Sequence, residues 1–174
     1  MPRGSLQEVW ASQKGFYVHQ RAGYLALKGD LTINQLKVIA SAHELIDSKK
    51  YQSAEWAYLH AMREPNQDIY TANKMANAFV REKFNTAWQY RNNGNTEKAL
   101  FEFGLALHTL QDSTSSSHAD FQPWSGHETK YQEFQHVIKE MRQPNMDNQL
   151  YKITKDAYQW YKSGKLPKGD LFQR

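Results

Sequence analysis

A chain of 174 residues suits one domain built around a single sizeable core, and 40 % apolar with 13 % aromatic residues excludes a charge-dominated disordered segment. The absence of cysteine removes thiolate metal sites, disulfides and cysteine nucleophiles together. No run of about 18 apolar residues is present to cross a bilayer, and a formal charge of +4 favours anionic partners (phospholipid, nucleic acid or an acidic inhibitor) only slightly.

The opening Met1-Pro2-Arg3-Gly4-Ser5 reads as the remnant of a cleavable tag, with residues 1–6 outside the fold. No apolar segment follows a basic start, so no signal peptide is expected. Residues 7–27 carry Val9, Trp10, Phe16, Tyr17, Tyr24 and Leu27 in an amphipathic pattern broken at Gly15 and Gly23. Lys28-Gly29-Asp30 reads as a turn, after which Thr32 caps a helix through Leu36, Ile39 and Leu45 to about Asp47. Residues 51–62 form a short aromatic helix or extended run, stopped by Glu64-Pro65-Asn66. The strongest periodicity predicts a helix over 69–91, ended by a left-handed turn at Asn92-Asn93-Gly94. Asn95 or Thr96 then caps a helix whose apolar face is Leu100, Phe103, Leu107 and Leu110. A loop at 113–126, helices near 130–141 and 148–162, and a loose tail over 163–174 complete the chain. Strand and hairpin signals are nearly absent. The expected fold is all-α, a compact multi-helix bundle over residues 7–162.

Chemistry concentrates where the fifth predicted helical segment ends. His108 and Asp112 lie one helical turn apart and point the same way. His118 returns after the Ser/Thr turn, and His136 with Glu140 repeats the histidine–carboxylate spacing. One such pair is most simply a solvated helix surface. H-x3-D-x5-H followed by H-x3-E, in a chain without thiolates, is the donor set of a zinc site. His60 among Tyr58, Leu59, Ala61 and Met62 reads on spacing alone as a core histidine, and His19 is similar. His43 pairs with Asp47 at i, i+4, while His127 reads as a loop residue. The serine run 113–117 contains no nucleophile elbow and is expected to be the turn that brings His118 back.

In its order of His60, a long helix, His108/Asp112/His118 and His136/Glu140, the chain resembles the bacterial zinc-dependent phospholipases C. More distantly it is similar to the fungal zinc nucleases that cut single strands. The segments LHTLQDSTSSSHADFQPW and KYQSAEWAYLHAMRE more narrowly resemble the C-terminal toxin domains of Rhs-type polymorphic toxins. The resemblance covers about half of the chain. It implies an all-α phosphodiesterase with two or three Zn²⁺, hydrolysing phospholipid at a membrane surface and acting in a target cell as a secreted or delivered antibacterial effector. It also implies a cognate immunity protein, no specific nucleic acid and a monomer.

Residue by residue, the resemblance assigns His60, His108 and Asp112 to one zinc, and His118, His136 and Glu140 to another. A third would share Asp112 and take His19. Asp47, with His43 as the fallback, matches the family's aspartate that serves as ligand or base, so Asp47 and Asp112 are the implied catalytic carboxylates. The family completes its third zinc with the backbone of an N-terminal Trp, which a chain beginning Met-Pro-Arg-Gly-Ser lacks or replaces. His127 competes with His136, but Tyr131 follows His127 at i+4 where Glu140 follows His136, and a carboxylate is the usual ligand. The aromatic loop Phe121-Gln122-Pro123-Trp124 is expected either to dip into a lipid interface or to pack as a lid. Trp56 and Tyr58 offer a stacking platform if the substrate is nucleic acid instead.

Overall fold

A computed structural model of the chain describes residues 18–115, 117–126 and 146–173. Its secondary structure is helical, with no strand among the described residues and one isolated bridge between Arg63 and Pro123. The all-α expectation holds. Helices α1 (Val18–Leu27), α2 (Ile33–Ile46), α3 (Ile69–Asn92), α4 (Thr96–Asp112) and α5 (Met146–Ser163) pack around α4, which touches α2, α3 and α5. Short 3-10 turns at Lys49–Tyr51 and Ala54–His60 bridge α2 to α3.

Local chemistry sets most of the boundaries. Thr32 accepts from the backbone of Gln35 while the Gln35 side chain accepts from the backbone of Thr32, a reciprocal capping box that starts α2. Asp68 and Asn95 accept from Thr71 N and Lys98 N to start α3 and α4. Gly94, at φ 76, makes the left-handed turn between those two helices. The break expected at Gly23 does not occur. The glycine lies inside α1 and is buried, and a mid-helix glycine costs only about 1 kcal/mol, which packing readily offsets.

Val80 and Phe84 of α3 meet Leu100, Phe103 and Leu107 of α4, with Tyr158 and Tyr161 of α5 closing the core. The Phe84 and Phe103 rings cross edge-on at 5.8 Å. The approach of α2 to α4 depends on Gly104: a Cβ there would stand 2.7 Å from Ala42 Cβ and 3.0 Å from Ile39 O. That absent methyl lets α2 lie close enough to deliver His43 and Asp47 to the end of α4.

The tail is not loose. Asp170 accepts from Asn73 and Asn77, Leu171 N donates to the Asn77 side chain, and Arg81 donates to the carbonyls of Pro167 and Gly169. Leu171 is buried in the core. Its glycines and proline shape a docked strap, because polar side chains on α3 supply partners for its backbone. The proposed tag remnant, residues 7–17, the helix near 130–141, and His127, His136 and Glu140 lie outside the described residues.

Candidate metal centre

By its last turns α4 is buried on every side. Residues 103–112 include Thr109, Gln111, Asp112 and His108, all at 3 % exposure or less. Burying such groups is costly unless each finds a partner. Thr109 Oγ1 donates to Leu59 O at 2.6 Å and ties the 3-10 segment to α4. That contact sets His60 opposite Asp112. Ala61 follows at φ 50, a left-handed conformation unusual for alanine. The His60 carbonyl accepts from His118 Nδ1. His118 is buried, and two further left-handed residues, Asp120 and Phe121, follow it. Strain thus collects on both chain segments that deliver histidines to the site.

The serine run is the return turn. Ser113 and Thr114 hydroxyls donate to the carbonyls of Leu110 and Gln111, Ser115 N donates to Asp112 O, and Ser115 Oγ accepts from Ser117 N. The Ser113 and Thr114 hydroxyls thus serve backbone carbonyls at the end of α4, and the Ser115 hydroxyl braces the turn through Ser117, as Ser/Thr turns do.

Asp112 stands at the centre. Its Oδ1 lies 2.9 Å from His19 Nε2, and its Oδ2 lies 3.1 Å from His60 Nδ1 and 3.0 Å from His108 Nε2. His60 Nδ1 and His108 Nε2 are 3.3 Å apart. Asp47 Oδ1, at the C-cap of α2, is 3.6 Å from His108 Nε2. Donor atoms of His19, His108 and Asp112, and separately of Asp47, His60 and His108, converge closely enough to hold a metal ion. The donor chemistry fits one. Carboxylate oxygens carry no proton to give, and two neutral imidazole nitrogens meeting at 3.3 Å share one hydrogen at most. Ligands held about 2.0–2.1 Å from a tetrahedral zinc stand roughly 3.3–3.4 Å apart, a spacing that the 3.0, 3.3 and 3.6 Å separations around His108 Nε2 bracket.

The carboxylate is held charged. Burial alone raises the pKa of Asp112, but the charges of His108, His19 and His118 and a hydrogen bond from His108 keep it well below the usual carboxylate range. His43 behaves oppositely. Fully buried, and beside His108 and His19, it is pushed well below the ordinary value of 6.5, with Asp112 pulling weakly the other way.

The structure therefore brings together His19, Asp47, His60, His108 and Asp112, with His118 bonded to the carbonyl of His60. His43 is placed as a neighbour rather than a ligand. Its ring lies 5.6 Å from His19 and 5.5 Å from His108, its Nδ1 meets His108 Nδ1 at 3.4 Å, and its Nε2 is buried without a hydrogen-bond partner among the described residues. Two contributors escaped sequence reasoning. Gln111 Oε1 lies 3.1 Å from His19 Nδ1, and the Gln111 amide reaches Thr154 on α5. Gln111 sits beside Asp112 in sequence, whereas nothing local marks Thr154.

The aromatic loop packs against the domain at Phe121 and Trp124. Phe121 is buried against Phe172, Trp124 Nε1 donates to Gln52 O at 2.8 Å, and Trp124 N donates to Arg63 O. Gly126, at φ +73, sits where a Cβ would meet Gln52 O at 2.8 Å. Comparison with protein-family models, curated proteins and solved structures gives no match for this chain.

Proposed function

We propose that this domain is a zinc-dependent phosphodiesterase, a phospholipase C acting on membrane phospholipid as an antibacterial toxin domain, countered in its producer by an immunity protein. The observation that carries the reading is the division of Asp112, one oxygen facing His19 and the other facing His60 and His108. A carboxylate so placed suits a ligand shared between two ions. His60, His108 and Asp112 would hold one zinc, Asp112 and His19 would contribute to a further one, and His118 with His136 and Glu140 would hold another.

Zinc, when bound, supplies positive charge against phosphodiester oxygens and lowers the pKa of a coordinated water. The chain's own residues do the rest. Asp47 is 42 % exposed at its side chain, against 0–15 % for His19, His60, His108 and Asp112, so it marks the open face of the cluster. There Asp47 Oδ1 orients the attacking water and takes its proton. The buried His60, His108 and Asp112 hold their geometry because no solvent competes for them.

Support for phospholipid comes from the sequence resemblance. Nuclease activity is the second reading, favoured by the partly exposed rings of Tyr51, Trp56 and Tyr58 beside the His60 segment, the first two edge-on at 5.3 Å. Liposomes and single-stranded nucleic acid, each with and without a strong chelator, separate the two. Phosphorylated head group should be released from liposomes, stop on chelation and return with Zn²⁺. Nucleic-acid cleavage without lipid turnover would replace the first reading by the second. No hydrolysis of either, with no bound metal, would leave a helical interaction module.

A further inference from the structure

Thr154 of α5 is fully buried, and its Oγ1 donates to Leu150 O one turn back at 2.6 Å. With its proton committed there, Oγ1 has only lone pairs to offer. The Gln111 atom that meets it at 2.8 Å must therefore be the amide nitrogen. This orientation turns Gln111 Oε1 towards His19 Nδ1 at 3.1 Å, so that ring atom must carry a proton. In the neutral imidazole that a metal ion takes, the lone pair then lies on Nε2, the atom 2.9 Å from Asp112 Oδ1. Thr154, Gln111 and His19, on α5, α4 and α1, form one directed chain leading to Asp112, in which the bridging hydrogens on Gln111 Nε2 and His19 Nδ1 each have a single assignment.

We infer that Gln111 and Thr154 are positioning residues that hold His19 as the Nδ1-protonated tautomer with Nε2 presented beside Asp112, so that docking of α5 makes the His19 limb of the centre competent to bind metal. This rests on the metal reading above. Outer partners of this kind orient the imidazole and raise its basicity, and their loss typically costs 10–100-fold in metal affinity or activity. The sharpest substitution is Thr154→Val, which keeps the shape and removes the hydroxyl. Thr154→Ser restores the hydroxyl and serves as the rescue.

The test uses the intact chain with Zn²⁺ or Co²⁺ alone, titrated against a chromophoric chelator, and nuclear magnetic resonance of the His19 ring. The parent should show a His19 Nδ1–H proton that exchanges slowly with solvent. Thr154→Val should speed that exchange and weaken His19-dependent metal binding by about 10-fold or more, and Thr154→Ser should recover both. In a His19→Ala background, Thr154→Val should have no further effect on metal affinity. A parent ring without a proton on Nδ1 overturns the inference even if Thr154→Val fails to fold. So does metal binding that is lost in Asp112→Asn but unchanged in Thr154→Val, and in that case the metal reading survives. A parent chain that binds neither ion overturns the metal reading itself, and the positioning role with it.

Discussion

Helix α4 contains two regions of equal burial and opposite character. Leu100, Phe103 and Leu107 are 0–1 % exposed, and His108, Gln111 and Asp112 are 0–3 % exposed. Accessibility does not distinguish them. The apolar region is held by the transfer of carbon out of water, which is non-directional and tolerates any well-packed hydrophobic neighbour. The polar region is held only because each atom meets a partner at bonding distance: Asp112 three imidazoles, Gln111 His19 and Thr154, Thr109 the carbonyl of Leu59. Breaking the first should cost folding, and breaking the second should cost metal and chemistry.

The largest expected effect lies in the apolar region. Phe103→Ala removes a fully buried ring that contacts Phe84 and Tyr161 and should destabilise the domain by about 3–5 kcal/mol. The melting temperature should fall by roughly 6–20 °C, while metal bound per folded molecule stays at the parental level. Loss of metal in step with stability would show that the two regions are not separable.

Asp112→Asn is the complementary break. The amide keeps the volume but is a far poorer zinc ligand, and the apolar face of α4 is untouched. A folded helical protein should result, with phosphodiesterase activity reduced by about 10²-fold or more and no toxicity in a sensitive cell. Parental activity on every phosphodiester tested would end the zinc-hydrolase reading.

The smallest effect sharpens the comparison through pH. His43 titrates well below 6.5 in the folded chain, so below pH 6.5 the unfolded state binds more protons and stability falls as pH is lowered towards the folded value. Above 6.5 this contribution is constant. Asp112, also depressed, contributes stability that is full above the ordinary carboxylate range and is lost at lower pH still. In metal-free protein His43→Leu should flatten the slope just below pH 6.5 and leave the lower acid transition in place. Chemical denaturation across that range reads both, and an unchanged slope would remove His43 from the buried, neutral role.

Much of this arrangement is legible in the sequence. The cap at Thr32, the Asn-Asn-Gly stop and a cap at Asn95 or Thr96 rest on contacts within four residues, where the chain has few alternatives. His108 and Asp112 were equally readable, because helical geometry alone places them together. The 3-10 form of Ala54–His60 was less legible, since a short aromatic run suits helix or extended chain equally. The docked tail was not legible. Glycine and proline signal a turn but do not say whether Asn73, Asn77 and Arg81 stand nearby to receive it.

Residue type and spacing thus decide that this chain is helical, where most helices begin and end, and that imidazoles and carboxylates recur with ligand periodicity. Which of them meet is decided by packing. Gly104 admits α2 against α4, the Thr109–Leu59 bond seats His60, and α5 brings Thr154 to Gln111. These contacts join residues 43 to 65 positions apart, and no local pattern records them. A buried polar group tolerates few arrangements in which every atom is satisfied, so the fold as a whole selects the one that sets His19, His60 and His108 around a single carboxylate.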